Sequence, residues 1–498
     1  MSTTSDIDPP SPDRAPGTPP RPAAGLLVVG AGPAGLAGAL AAADAGIPVT
    51  LVDAGRRIGG QFYRQPAARL HARRPQALHH DVRTWLSLRR RFDIHAAAGR
   101  VRHLADHHVW FAEQSASGFV VHALAGAEQD GAGQDHPVSV RADALLLATG
   151  AYEKVLPFPG WTLPGVITAG AAQAMLKGML VLPGQNVVVA GTGPLLLPVA
   201  AGLAQAGARI SALIESADAR DLRRLAPALA AHPGKLAEAA GYAATLLRHR
   251  VPIRYRHTVL AAHGATRVES VTVAALDRQG QVCQGSAKWI PCDALAVGHG
   301  LLPHLDLAGA LGARLLGDGA QTVWVDDEQR TDIPGLWAAG EATGIGGSAL
   351  AVVEGEIAGI SAAATLLDRA PDAGRTARLV RARTRLRDFF AALDTVYSTP
   401  ATMIDALADE TVVCRCEEVP AGAVRGAVRE LGATDLRTIK LLTRAGMGWC
   451  QGRMCTPGVA AVAGCPATAA RTPFARPVPL GVLARSGEAA EEGYGTDE

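Results

Sequence analysis

One local pattern occurs twice in this 498-residue chain, and it restricts the choice of fold more than any other feature. Leu26 to Val29 is an apolar run of strand length. Gly30, Gly32 and Gly35 follow in the spacing GxGxxG, then an alanine-rich stretch of helical length, then a second apolar run ending in Asp53. Strand, glycine turn, helix and strand together make a βαβ unit. Gly30 permits the tight turn, Gly32 lets the backbone approach a pyrophosphate, and Gly35 lets helix and strand close up. The helix N–H groups then face the phosphates, and Asp53 accepts from ribose hydroxyls. A glycine turn kept for structure alone is the bland alternative; the agreement of all four parts favours a dinucleotide site.

The pattern returns at Asn186, as NVVVAGTGPLLLPVAAGLAQAGARISALIE. Gly191 and Gly193 supply the first two glycines and Glu215 stands where the ribose acid belongs, but Leu196 holds the third glycine position. A bulky side chain there is expected to push helix from strand and alter the pyrophosphate seat. The second unit is therefore expected either to seat an adenine nucleotide, NAD or ATP, or to persist as a fold without turnover. Asp293 to Gly300 echoes Asp143 to Gly150, as if the second unit were inserted into the first and returned the chain to it. His299 and His304 lie at the end of that segment; a lone His at a strand end is more often structural than catalytic.

Composition removes other readings. Formal charge is only +2 without long basic runs, so neither nucleic acid nor an anionic membrane surface is an expected partner. Residues 1–23 read as a disordered tail without signal-peptide character, and the acidic stretch after Gly487 as a solvating one. Gly178 to Ala208 lacks charge, yet Pro183, Gly184, Gly191, Gly193, Pro194 and Pro198 punctuate it, and no transmembrane segment is expected.

The seven cysteines all lie at or after Cys283, unlike a secreted disulfide framework. Cys414 and Cys416 form CxC, and Cys450 and Cys455 form CxxxxC after thirty-three intervening residues. Two close thiolate pairs can each clasp one iron of a [2Fe-2S] centre, with Gly446, Gly448 and Gly452 letting N–H groups approach the sulfurs. A four-cysteine zinc site has the same ligand count, but its pairs usually enclose two to four residues, which disfavours the CxC gap. Cys465 is left over and is expected to pack. Cys283 and Cys292 lack a redox-pair spacing and are expected to be buried, inert thiols.

Arg56 to Gln61, with Gly60 and Gln61, resembles the second glycine pair of the two-dinucleotide-domain flavoproteins. Thr331 to Glu341, with Gly340 and Glu341, resembles their flavin-approaching motif, in which the last residue is commonly Asp. Asp143 to Gly150, with Thr149 and Gly150, resembles their ATG strand. The resemblance implies FAD rather than NAD in the first unit. From Gly25 to about Leu483 the chain is similar to the A-type chains of opine oxidases and the B-type chain of hydrogen cyanide synthase, and its cysteine region to bacterioferritin-associated ferredoxin. That implies an α/β glutathione-reductase-type flavoprotein with two Rossmann-like domains and a small helical [2Fe-2S] domain. The expected divisions are 24–165 with 300–375 for FAD, 166–299 for the second nucleotide fold, 376–410 as helical linker, 411–475 for the cluster, and 476–498 as tail.

The same resemblance implies a cytoplasmic electron-transfer subunit of a heteromeric amino-acid, opine or amine dehydrogenase. Its partners would be a smaller subunit with its own flavin, together with an electron acceptor, a protein or quinone. The alternatives are a self-sufficient NAD(P)H-dependent reductase and a non-enzymatic nucleotide-binding scaffold. No arrangement in the chain demands acid–base or nucleophilic work, and no catalytic residue is named.

Overall fold

A computed structural model describes residues 25–126, 135–317, 321–397, 404, 407–467 and 472–484. Both tails expected to be disordered, 1–23 and the acidic stretch after Gly487, lie outside these residues. Two five-stranded parallel sheets organise the molecule. In the first, the order is Leu336–Ala338, Ala144–Leu147, Leu26–Val29, Val49–Val52, Val101–Leu104. In the second it is Val166–Thr168, Ala294–Gly298, Asn186–Gly191, Arg209–Glu215, Ile253–Tyr255. The glycine-turn strand is central in each, with the acid-bearing strand on one side and the closing strand on the other.

These strands are continuous apolar runs because both faces are covered: Leu26, Leu27, Val28 and Val29 are all buried. Each unit also carries a three-stranded antiparallel sheet, built from His107–Ser115, Gly118–Ala125 and His136–Ala142 in the first. The second uses His257–His263, Ser270–Ala275 and Lys288–Pro291. The chain crosses between units on a two-stranded ribbon, Ala151–Glu153 against Leu301–Pro303.

The helix after the first glycine turn, Pro33–Asp44, lies against the Gly347–Leu366 helix. Gly355 and Gly359 make the approach possible, since a Cβ there would stand 2.0 Å from the Ala34 carbonyl oxygen and 2.2 Å from that of Gly38. By length and composition Gly347–Leu366 is the one helix among the described residues that could cross a membrane; most of it is buried in this packing. The uncharged Gly178 to Ala208 stretch resolves into the end of a π turn, the Asn186–Gly191 strand and the Leu196–Gln205 helix.

A linker helix, Ala373–Val396, is capped by Asp372, whose carboxylate accepts from the Arg375 N–H at 2.9 Å. Beyond it a small domain pairs Val412–Cys414 with Val419–Pro420 and adds helices Ala421–Arg429, Leu436–Thr443 and Thr456–Ala463 around Val413, Val424, Ile439 and Val459. Part of the expected carboxy-terminal tail is not free of the fold. Val482 is buried with Trp110 and Leu124, because Val478, Val482 and Leu483 give it an apolar face for the first antiparallel sheet.

Candidate functional site

The first glycine turn is an open cradle at a helix N-terminus. A Cβ on Gly30 (φ +105°) would stand 2.2 Å from the Ala148 carbonyl oxygen, and one on Gly35 1.8 Å from that of Gly30, so neither tolerates a side chain. At Gly32, the N-cap of the Pro33–Asp44 helix, a Cβ would meet nothing within 4 Å. No acceptor among the described residues takes the Gly32 N–H. Asp53 closes the turn: one carboxylate oxygen accepts from Ala31 N–H and the other from Gly55 N–H, both at 2.6 Å. Burial raises its pKa, although these N–H groups oppose the shift.

The other expected residues converge on the same helix end. A Cβ on Gly60 would press to 2.7 Å on the Gly32 Cα, and one on Gly340 to 2.8 Å on the Ala34 Cβ. Gly59 N–H bonds the Ala31 carbonyl at 2.8 Å. The Gln61 side chain accepts from Arg64. Gly150 faces open space, and Thr149 Oγ1 donates to the His304 carbonyl at 2.7 Å. Glu341, pushed upward by burial, accepts from Gly347 N–H at 3.2 Å. A cradle whose glycines leave room at Gly32 and Gly150 beside a helix N-terminus suits a dinucleotide with a pyrophosphate.

Sequence reasoning missed the support beneath this cradle. Glu354, 1% exposed, accepts from Gly340 N–H at 3.0 Å and from Thr343 Oγ1 at 2.9 Å. The Arg387 guanidinium on the linker helix grips its other oxygen at 2.5 and 2.9 Å and reaches the Gly344 carbonyl at 3.0 Å. The available signal was a pair of acids, Glu354 and Glu356, inside a largely apolar helix that is followed by an arginine-rich one.

The second unit differs in detail. Gly191 (φ +135°) repeats the tight turn, a Cβ there standing 1.8 Å from the Gly298 carbonyl oxygen, and Gly193 has open space. Leu196 is accommodated because the facing residue is Gly298, on which an added Cβ would lie 3.2 Å from Leu196 Cδ2. The helix nevertheless begins at Leu196, and Leu196 N–H bonds Gly193 in an i→i−3 turn at 3.2 Å. In the first unit Leu36 N–H makes the helical i→i−4 bond to Gly32 at 2.9 Å. Glu215 is 6% exposed and accepts from Gly193 N–H at 3.1 Å and Ala217 N–H at 2.9 Å. Burial pushes its carboxyl up to about 7. Phe389, Leu393 and Val396 of the linker helix, with Tyr397, pack on Ala217 and Leu225 beside it, and burial, with a further contribution from the Glu215 charge, raises the Tyr397 phenol.

The four expected cluster cysteines are brought into one loop set. Cys455 hydrogen-bonds both Cys414 and Cys450, which pushes their thiols down to about 6 and about 5, and Cys416 meets Cys450. Gly446 N–H points to Cys414 Sγ at 3.5 Å. A Cβ on Gly448 would stand 2.3 Å from the Cys416 Cβ, so the loops close only around glycine. Among the described residues no three His, Cys, Asp or Glu side chains form a single-ion site. The thiols form a linked series of four, the ligand number of a two-iron group whose irons take two thiolates each. Cys414 and Cys455 are buried, Cys450 half-buried and Cys416 exposed.

The remaining cysteines and histidines divide. Cys292 is buried and its thiol is pushed up to about 12 by burial; Cys465 packs at the edge of the cysteine domain. Cys283 is only half-buried, because it lies in the turn region just before the exposed Lys288–Pro291 strand rather than in a sheet core. His299 is buried with Nε2 unpartnered, burial pushing it down to about 4. His304 pairs with Asp306, Nε2 to Oδ2 at 3.0 Å.

Comparison with known proteins follows the same division of the chain. Residues 25–377 match the pyridine nucleotide-disulphide oxidoreductase family, and residues 412–463 match the BFD-like [2Fe-2S] binding domain. The chain is 33% identical to hydrogen cyanide synthase subunit HcnB of Pseudomonas aeruginosa, over 86% of this chain and 90% of that protein. It is likewise 33% identical to the A-type subunit of opine oxidase from Agrobacterium tumefaciens, over 87% of this chain and 84% of that one. The crystal structure of L-proline dehydrogenase from P. horikoshii shares the fold, with a TM-score of 0.63 at 20% identity, covering 93% of this chain and 80% of that chain.

Proposed function

The chain belongs to the pyridine nucleotide-disulphide oxidoreductase family and carries a BFD-like [2Fe-2S] binding domain, and on that premise we propose that it is the electron-transfer subunit of a heteromeric dehydrogenase acting on the C–N bond of an amino acid, opine or amine. Its relatives are named as subunits, of hydrogen cyanide synthase and opine oxidase, which supports a partner subunit; in this reading that partner is smaller, carries its own flavin and meets the substrate. The observation that carries the reading is the presence, in one chain, of an open glycine cradle and four thiols linked in series. Reducing thiols of this kind fit the cytoplasm.

In this reading Gly30, Gly32, Gly35 and Asp53 hold the adenosine and pyrophosphate half of FAD. Gly60, Gln61, Thr149, Gly150, Gly340 and Glu341 line the rest, and Cys414, Cys416, Cys450 and Cys455 hold the cluster. FAD held there would supply two-electron chemistry and a [2Fe-2S] centre held by the four cysteines one-electron chemistry, so the pair would convert one into the other. The chain's own work is electrostatic. The Gly32 N–H and the helix N-terminus offset phosphate charge, and the Gly446 N–H at Cys414 stabilises added negative charge on the sulfurs. The final acceptor is a protein or quinone.

Entry of electrons from NAD(P)H is the competing reading. The sealed Glu215 and the occupied Gly193 N–H speak against it, and we propose that the second unit is a retained fold without NAD turnover.

Anaerobic purification tests the main reading. The expected result is a flavin band with a reduced-state [2Fe-2S] paramagnetic signal that disappears in Cys416→Ser, and little amine oxidation until a partner subunit is added. Rapid turnover of opines or amino acids by the isolated chain overturns it, as does flavin accompanied by zinc without iron.

A further inference from the structure

Arg453 lies inside the second cysteine pair and connects it to a distant part of the chain. Its guanidinium donates to the Cys450 carbonyl at 3.2 Å, to the Asp306 carboxylate at 2.6 Å and to the Ala475 carbonyl at 2.6 Å. Its backbone N–H also bonds the Cys450 carbonyl, at 3.1 Å. Asp306 is 147 residues away in sequence and accepts in addition from His304 Nε2 at 3.0 Å and Thr472 Oγ1 at 3.2 Å. His304 is bonded through its main chain to the end of the flavin-side strand: its N–H donates to the Gly150 carbonyl at 2.9 Å, and its carbonyl accepts from Thr149 Oγ1 at 2.7 Å. An unbroken series of bonds therefore runs from Thr149 and Gly150 through His304, Asp306 and Arg453 to Cys450.

The Arg453 and Asp306 side chains are 17% and 14% exposed, so the pair is held largely out of water. A pair of that kind contributes little net stability but fixes geometry, because both partners are costly to leave alone. Arg453 is also the charged side chain nearest in sequence to Cys450 and Cys455. A cation there favours the more negative, reduced state of a cluster.

We propose that Arg453 and Asp306 are positioning residues of the electron path, pinning the Cys450 side of the cluster loop to the strand end that carries Thr149 and Gly150 and setting the charge beside the thiolates. The proposal rests on the relay reading above. It differs from simple domain docking, which other contacts also provide: Trp161 Nε1 donates to the Val412 carbonyl at 2.6 Å, two residues before the CxC pair rather than within the CxxxxC loop that holds Arg453.

The test uses the full chain loaded with flavin and cluster, and compares Arg453→Gln, Arg453→Lys, Asp306→Asn and Trp161→Phe. The readouts are the cluster's midpoint potential, its paramagnetic spectrum, and the rate at which the cluster is reduced after flash photoreduction of the flavin. Arg453→Gln lowers the potential and slows transfer about tenfold or more, the usual scale for outer-sphere partners of a metal site. Asp306→Asn, nearly isosteric, raises the potential because the Arg453 charge is then less compensated. Arg453→Lys keeps the potential and still slows transfer, since an ammonium cannot span Cys450 and Asp306 together.

Trp161→Phe, the docking control, leaves the potential where it was. If Arg453→Gln loses its cluster, the opposite shift in Asp306→Asn decides the matter by itself. Wild-type rates and potentials in Arg453→Lys and Asp306→Asn overturn the proposal alone. A wild-type chain whose cluster takes no electrons from its flavin overturns the relay reading and this inference with it.

Discussion

The two glycine-turn units have the same strand order, the same tight turn and an acid at the same point; among their differences, the third glycine position holds Gly35 in one and Leu196 in the other, and the acid is longer by one methylene in the second. In the first, Gly35 faces Ala148; in the second, Leu196 faces Gly298. Volume has been exchanged across the same contact, so both cores are filled, but the second helix starts later and on a tighter turn. Asp53 reaches Ala31 N–H, and no acceptor among the described residues takes that of Gly32. Glu215 is longer and consumes the Gly193 N–H, the group that stands where Gly32 offers one to a phosphate. On the proposed reading, in which the second unit turns over no NAD, a Rossmann-like fold outlasts its ligand chemistry because packing and phosphate binding depend on different atoms of the same turn.

Exchanging the side chains back is the strongest way to break this comparison. Gly35→Leu would drive a Cβ into the Gly30 carbonyl, a backbone atom that cannot yield, so the variant should lose its flavin and about 3 kcal/mol or more of stability. Leu196→Ala in the second unit should also cost about 3 kcal/mol, through the cavity left beside Gly298, while the flavin content stays at wild-type level. Flavin absorbance per chain and urea unfolding measure both. Loss of flavin in Leu196→Ala would show that the units are coupled rather than independent.

That contrast also marks how far the sequence could be read. The strands, turns and sheet membership follow from local pattern: an apolar run, GxGxxG and an acid leave one economical arrangement, and CxC with CxxxxC brings four thiols together whatever surrounds them. The sequence raised Leu196 as an obstacle but could not show that Gly298, a hundred residues on, makes room for it. Nor could it show the linker helix packing on Ala217 beside Glu215, Arg387 gripping Glu354, or Arg453 meeting Asp306. These are pairs between distant segments, and neither periodicity nor spacing encodes which arginine meets which carboxylate.

A pH measurement sharpens the comparison with a smaller effect. Burial moves Glu215 from an ordinary value of 4.5 to about 7 in the folded protein. The folded state therefore binds a proton that the unfolded state releases. This group's contribution to stability is greatest below pH 4.5, declines as pH rises toward 7, and is constant above that. The decline amounts to about 3 kcal/mol, and Glu215→Gln should abolish it. Hydrogen exchange of the Asn186–Gly191 strand amides across pH 5 to 8 reads this locally. An unchanged slope in the variant would mean that Glu215 is ionised in the fold, and hence more open than its burial implies.

The smallest expected effect is the most diagnostic one. Anaerobic NADH should leave the wild-type flavin absorbance unchanged over minutes and give no binding heat, because the Gly193 N–H is occupied and the Phe389 to Tyr397 end of the linker helix packs beside the acid that would hold the ribose. Glu215→Asp withdraws the carboxylate by one methylene and frees that N–H while keeping the charge. If the one-carbon difference is what silences the second unit, this variant should acquire weak NADH binding, on the order of millimolar, without flavin reduction. If the variant stays silent, the linker helix and Leu196 are the barrier and the length of the acid is incidental. If the wild-type flavin bleaches instead, the second unit is a working nicotinamide site, and electrons enter this chain by a route that needs no partner subunit.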